Sequence, residues 1–111
     1  MKPKAQRAIP TLSVLVFQEG EWLCARCLEH DLAVQAKTLP SLHARLHRMI
    51  VGHVAVRLAH GLRPFEDLPP APWKYRVMFN RSKITLPSQL FGFGIKNRAF
   101  KIPTPKVRVA A

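Results

Sequence analysis

The sequence predicts an α+β domain in which a three-stranded antiparallel sheet is packed by one long helix. Three runs of strand length follow one another at residues 12–18, 22–28 and 32–36, separated by short polar turns. Next comes a segment whose apolar residues have helical spacing, bounded by Thr38 and Gly61. This order predicts a βββα unit, because the apolar side of a helix needs a sheet face to cover it.

The first two strands are predicted to form a hairpin with Gly20 in its loop. Residues 12–18 are rich in β-branched and apolar side chains, and a polar turn precedes the return strand. Because side chains alternate along a strand, Leu23, Ala25 and Cys27 share one uninterrupted apolar face of the second strand. We therefore expect that face to lie against the helix.

The helix carries the strongest local signals. Thr38 is a suitable N-cap, Pro40 is tolerated in the first turn, and Gly61 stands where a glycine ends many helices. Gly52 lies inside the helix, where we expect close packing to explain it, and His53 is interpreted as a hydrogen-bonded core histidine. The predicted apolar stripe consists of Leu39, Leu42, Leu46, Met49, Ile50 and Val56.

Three segments of different character make up the chain. Residues 1–11 form a flexible basic leader, residues 12–79 the folded domain, and residues 80–111 a basic tail interrupted by glycine and proline. Within them, residues 73–79 fit either a fourth strand or a short amphipathic helix, and residues 83–86 fit a short strand. A disordered end, a segment that folds on a partner and a base-stacking segment all fit the tail.

The charge distribution restricts the class of partner. The 111 residues have a net charge of +12, and all six acids precede Lys74 in two patches. Such a chain attracts anions, whether nucleic acid, anionic lipid or an acidic protein. Neither a signal peptide nor a run of about 20 apolar residues is present. The expectation is a soluble cytoplasmic protein that does not enter a membrane.

Two groups of cations are candidates for binding a partner or nucleic acid. Residues 41–60 contain arginines and histidines and no acid, so one side of the helix is basic. In the tail, cations alternate with phenylalanine, as in proteins that stack bases and neutralise phosphates. An ordinary solvated face is the alternative for the helix. The six candidate residues are Arg45, Arg48, Arg57, Lys96, Arg98 and Lys101.

Residues that suggest metal or redox chemistry do not have the pattern of a site. Cys24 and Cys27 are predicted to lie on opposite faces of a strand, and a zinc site needs about four ligands. A redox pair of cysteines belongs at a helix N-terminus. The carboxylates of Glu29, Asp31, Glu66 and Asp67 flank turns and loops. The sequence therefore predicts two buried structural cysteines, no metal, no cofactor and no enzymatic activity.

The stretch from residue 22 to residue 39 resembles the signature of HicB-like antitoxin domains. In that signature a strand ends in an aromatic residue, an alanine and a cysteine–leucine–glutamate run, followed by an acidic turn, a strand and a Thr-Leu helix start. The proline-rich residues 64–72 also resemble the segment after the helix in small stand-alone members. The matching positions are Trp22, Ala25, Cys27, Leu28, Glu29, Asp31, Gln35, Thr38 and Leu39.

This resemblance, which covers residues 12–79, implies a pared-down RNase H-like fold without its catalytic carboxylates. It also implies a non-enzymatic regulatory domain that binds a toxin-like protein partner and self-associates. Two features differ from the family: Pro40 and Ser41 precede arginines and histidines instead of glutamates, and no standard DNA-binding module follows. The alternative function is a basic nucleic-acid-binding module on the same scaffold.

Overall fold

The computed structural model describes residues 12–86 and 105–110 in full, and the backbone of residues 7–8 and 100–101. Seven strands and two helices lie in this part of the chain. In chain order they are β1 (Arg7–Ala8), β2 (Ser13–Glu19), β3 (Trp22–Cys27), β4 (Leu32–Ala36), α1 (Leu39–Ala59), α2 (Trp73–Arg81), β5 (Ile84–Leu86), β6 (Phe100–Lys101) and β7 (Lys106–Val109).

The α+β class is confirmed, but the main sheet is larger than predicted. Its five strands have the order β4-β3-β2-β7-β5. The predicted antiparallel unit β2-β3-β4 forms one side, with Glu19 paired to Trp22 across a two-residue loop that contains Gly20. Strand β7 then pairs with β2 in parallel and with β5 antiparallel, so the sheet is mixed. Strands β1 and β6 form a separate parallel pair.

The two added strands lie beyond residue 79, where the expected folded domain ended. Strand β5 corresponds to the short strand expected near residues 83–86. Strand β7 was not predicted, although its residues alternate between basic and apolar, because prolines at 103 and 105 precede it. Residues 73–79 belong to a helix rather than a fourth strand, since Tyr75 and Phe79 share one side at a spacing of four.

The ends of α1 agree with the predicted signals. The Thr38 hydroxyl accepts a hydrogen bond from the backbone N–H of Ser41 at 3.3 Å, which satisfies one of the unpaired donors of the first turn. Pro40 lies in that turn and costs no hydrogen bond. After His60, Gly61 takes a φ of +70°, a conformation that glycine adopts without strain.

Helix α1 packs on the face of the sheet that we call the inner face. Four of its residues are fully buried there, each four positions after the last. Val54 replaces Val56 in the predicted stripe: Val56 is 59% exposed, because six residues after Ile50 the helix has turned away from the sheet. The inner core contains Leu42, Leu46, Ile50 and Val54 with Val14, Val16, Ala25 and Cys27.

Gly52 is exposed on α1, and close packing does not explain it. A Cβ atom placed on this residue would have no other heavy atom within 4 Å. Alanine has the higher helix propensity, so Gly52→Ala is expected to raise the free energy of unfolding by about 0.5–1 kcal/mol in a urea titration. Gly61→Ala is the matched control of opposite sign, since its φ of +70° strains any side chain. A loss of stability in Gly52→Ala would contradict the prediction.

The opposite, outer face of the sheet is covered in part by α2. Leu15, Leu28 and Phe79 form a second buried cluster, with Phe17 and Tyr75 packed at its margin. The sheet is thus buried on both faces in its central strand β2, and the molecule has three layers with one helix on each side.

The connector between the helices is anchored by Phe65, which is 1% exposed. Its ring lies between two imidazoles, with centroid distances of 4.9 Å to His30 and 4.9 Å to His53. The Phe65 backbone N–H also donates to Nε2 of His53 at 2.9 Å, so the expected role of His53 as a hydrogen-bonded residue beside the core is confirmed. Phe65 has a φ of +66°, which a phenylalanine adopts only where packing enforces it.

The partial burial of His53 makes stability depend on pH. Burial lowers the pKa of this imidazole below its ordinary value of 6.5; Asp67 opposes the shift, and Arg57 and His30 add to it. The unfolded chain therefore takes up the proton at a higher pH than the folded chain. The stabilisation is complete above pH 6.5 and decreases as pH falls through the lowered pKa.

The variant His53→Gln isolates this contribution, because the amide keeps an acceptor and does not titrate. We expect the difference in unfolding free energy between the original chain and His53→Gln to decrease as pH falls from about 8 to about 5. Urea titrations across that range measure it, and the other histidines cancel in the difference. A difference independent of pH would contradict the assignment of His53 as a neutral acceptor.

Candidate binding surfaces

Helix α2 leaves part of the outer sheet face uncovered, and an open groove lies there. The helix crosses from Tyr75, whose ring is 5.5 Å from that of Phe17, to Phe79, whose carbonyl accepts a hydrogen bond from Arg108 of β7. The half of the face formed by β3 and β4 is therefore accessible. The cavity has a volume of about 360 Å³, and its lining includes Phe17, Glu19, Cys24, Arg26, Ala33, Gln35, Arg45 and Tyr75.

The wall of the groove is held by Arg26. Its guanidinium donates to both carboxylate oxygens of Asp31, at 2.8 and 3.0 Å, and lies 4.3 Å from the centroid of the Tyr75 ring. The hydrogen bonds to Asp31 raise the pKa of Arg26 above its usual value. Because Asp31 neutralises this charge, Arg26 orients Tyr75 rather than attracting an anion into the groove.

The two cysteines are free and lie on opposite faces of the sheet, as strand alternation predicts. Cys24 lies at the groove and Cys27 in the inner core. Burial raises the pKa of the Cys24 thiol, with Glu19 acting in the same direction, and burial raises that of Cys27 to about 12. Both thiols are protonated at neutral pH, so neither is activated as a nucleophile. The described residues contain no group of three or more potential metal ligands.

Two of the predicted binding residues lie on the exposed side of α1. Arg45 lines the groove, where its Nη1 donates to the backbone carbonyl of Gln35 at 2.8 Å. This contact covers a polar group on β4, which is an edge strand of the sheet. Arg48 is exposed one turn further along α1. Both guanidinium groups are accessible to a partner at this margin of the sheet.

The other predicted binding residues have different environments. Arg57 donates to the carbonyl of Arg63 at 3.0 Å and to Asp67 at 3.3 Å, and its side chain is only 18% exposed. It thus holds the connector against α1. Lys96 and Arg98 lie outside the described residues, and for Lys101 only the backbone, in β6, is described.

Intramolecular ion pairs occupy most of the acidic residues. Five of the six acids each pair with a cation within 4 Å, and in the part of the chain that the structure describes the sixth, Glu19, forms no ion pair. The sequence places Glu29, Asp31, Glu66 and Asp67 at turns and loops but does not indicate which cations pair with them. The pairs are Arg26–Asp31, Lys37–Glu21, Arg57–Asp67, Arg63–Glu66 and Arg76–Glu29.

The remaining cations are unevenly placed. Of the twelve lysines and arginines whose side chains are described, seven form no ion pair with another described residue. Two of them, Arg45 and Arg48, are on α1. The other five lie on or beside α2 and β7: Lys74, Arg81, Lys83, Lys106 and Arg108. The larger excess of positive charge is therefore on the α2 side of the molecule.

The most exposed aromatic side chain of the described residues lies on that side, and it was not among the predicted binding residues. Trp73, the first residue of α2, is 75% exposed, whereas Trp22 is 36% exposed and lies under Lys37, whose Nζ is 4.2 Å from its ring centroid. The signal in the sequence is Pro72, because proline commonly precedes or begins a helix, so Trp73 is placed in a first turn with no preceding turn to pack on.

Comparison with known protein families, with curated proteins and with solved structures gives no match for this chain. Among the described residues, neither helix combines the length and the apolar character that crossing a membrane requires.

Proposed function

We propose that this chain is a non-enzymatic regulatory domain of the HicB-like type, which binds a protein partner on the open half of its outer sheet face. The observation that carries the proposal is the groove of about 360 Å³ beside α2. Aromatic rings of Phe17 and Tyr75 and the edge strand β4 meet there, with Arg45 accessible at the margin. Exposed aromatic and arginine side chains are typical anchors of protein interfaces.

The resemblance in residues 22–39 supports the finer parts of this proposal. On this proposal the β2-β3-β4-α1 unit is a pared-down RNase H-like core, and the partner is a toxin-like protein. The ion pairs of Asp31, Glu29 and Asp67 support a non-enzymatic role, because carboxylates neutralised by arginine are poorly placed to bind catalytic metal ions. Self-association through the unpaired edge of β4 is the proposed route to a homo-oligomer in the cytoplasm.

Co-purification with the product of the neighbouring reading frame tests the proposal. Nuclease treatment separates a protein complex from a contact through nucleic acid. Ala33→Arg fills the groove from the exposed position of an edge strand, and Ala44→Arg adds the same charge at an exposed position of α1. We expect a complex that resists nuclease, is lost in Ala33→Arg and is kept in Ala44→Arg. A complex that nuclease abolishes, or one that both variants keep, would contradict a protein-binding groove.

Binding of nucleic acid is the second candidate function, and the unpaired cations favour it. Five of the seven are gathered on or beside α2 and β7. A one-sided excess of positive charge is the electrostatic feature shared by proteins that bind phosphate backbones.

A further inference from the structure

The side of α2 that faces away from the sheet combines an exposed indole with cations. Phe79 and Tyr75 point toward the sheet, where they belong to the second buried cluster. On the opposite side, Trp73, Val77 and Arg81 follow one another at intervals of four residues, one helical turn each. The stripe is about 12 Å long, because eight residues separate its ends at about 1.5 Å each.

The exposed charged residues on and beside this stripe are all positive. Lys74 and Arg81 are exposed on α2, Lys83 is exposed two residues after its end, and the stretch from Trp73 to Lys83 contains no acid. Among the described residues, the one ion pair of α2 joins Arg76, at the margin of the helix, to Glu29. Lys74, Arg81 and Lys83 form no ion pair with another described residue, so an anionic ligand can approach them without displacing a carboxylate. The Nζ of Lys74 also lies 5.0 Å from the centroid of the Tyr75 ring, an exposed contact that a phosphate can replace.

We propose that the outer surface of α2 binds single-stranded nucleic acid, with one base stacked on Trp73 and the phosphates neutralised by Lys74, Arg81 and Lys83. The inference rests on the second candidate function and adds to it a location and a kind of nucleic acid. A base in a single strand has a free face that can stack on an indole, whereas bases in a duplex are already stacked on each other. An exposed tryptophan beside lysine and arginine is the combination that such stacking requires.

The same surface is a poorer match to an anionic membrane. A helix that lies on lipid needs a broad apolar side, and the exposed side of α2 offers Trp73 and the half-buried Val77 next to charged residues. An acidic protein would pair with the cations but would need a preformed apolar pocket to bury the indole. Single-stranded nucleic acid uses both the ring and the charges.

The test measures the binding of the full chain to labelled oligonucleotides of about 12 nucleotides. Fluorescence anisotropy at several salt concentrations compares single-stranded oligouridylate, single-stranded oligothymidylate and a duplex of equal length. Trp73→Ala is expected to weaken binding to both single strands roughly 5- to 150-fold, the equivalent of one base stacked on an aromatic ring, without changing the salt dependence. Trp22→Ala is the matched control and is expected to leave the affinity unchanged.

A second pair of variants separates the stripe from the total charge. Arg81→Gln with Lys83→Gln removes two cations from the stripe, and Arg45→Gln with Arg48→Gln removes two from α1. The first is expected to lower the slope of log affinity against log salt by about 0.7 for each cation, and the second to change it less. In a Trp22→Phe background, where Trp73 is the remaining tryptophan of the chain, single strands are expected to quench the indole fluorescence.

The outcomes distinguish failure of the proposed α2 site from failure of nucleic-acid binding as a function. Equal losses in the two charge variants, with Trp73→Ala unchanged and no quenching, would overturn the α2 site and leave nucleic-acid binding standing. If no oligonucleotide binds at low salt, both fail. Tighter binding to polyglutamate or to anionic vesicles than to the single strands would also overturn the proposal. Circular dichroism of each variant establishes that the comparison is made between folded chains.

Discussion

Phe65→Ala is expected to lower the free energy of unfolding by about 3–5 kcal/mol, among the largest effects that a single substitution has in this chain. The ring is 1% exposed and lies between the imidazoles of His30 and His53, so its removal leaves a cavity that the two rings have to close. The effect is expected in a urea titration at neutral pH. Leu62→Ala is the control, because Leu62 belongs to the same connector and is 45% exposed.

The backbone of Phe65 provides a second, independent measurement. Its φ of +66° is unfavourable for alanine by about 1–2 kcal/mol and free of strain for glycine. We therefore expect Phe65→Gly to be at least as stable as Phe65→Ala, the reverse of the order found in ordinary helix and strand positions. If the glycine variant is clearly the less stable of the two, the left-handed conformation at this residue is contradicted.

Loss of the Phe65 side chain is also expected to affect the position of α2 on the outer face of the sheet. The connector that it anchors continues to Pro69, whose carbonyl accepts from the N–H of Asp31 at 2.7 Å, and to Ala71, whose N–H donates to Leu28 at 2.9 Å. These hydrogen bonds fix the chain just before α2 begins. The position of α2, and with it the shape of the groove beside Tyr75, thus depends on how Phe65 packs in the connector that follows α1.

Local patterns were sufficient to predict the β2-β3-β4-α1 unit. Apolar and β-branched composition defines β2, and the alternation of side chains gives the buried face of β3. A tight turn at Gly20 defines the hairpin, and the cap at Thr38 defines the start of the helix. Each signal lies within the element that it predicts. Strand β7 differs, because it pairs in parallel with β2, from which it is separated by most of the chain. The pattern of its four residues does not indicate which strand they pair with.

The candidate binding surfaces were less predictable for the same reason. Arg57 has the sequence context of a free cation on a basic helix, and only the fold of the connector brings Asp67 to it. The groove exists because α2 stops covering the sheet at Tyr75, which depends on where the helix lies and not on the residues of the groove. Arg45 and Arg48 were recognisable as exposed cations because helical periodicity alone places them away from the buried stripe.

Leu46→Ala is expected to lower the free energy of unfolding by about 2–5 kcal/mol, because Leu46 is fully buried at the centre of α1. It belongs to the inner core with Leu42 and Ile50, so truncating its side chain leaves a cavity in close-packed surroundings. The matched control is Val56→Ala on the same helix, where the side chain is 59% exposed and alanine has the better helix propensity. We expect the control to change stability by less than about 0.5 kcal/mol. Equal effects of the two substitutions in urea titrations would contradict the orientation of α1 on the sheet, since that orientation is what separates a buried Leu46 from an exposed Val56.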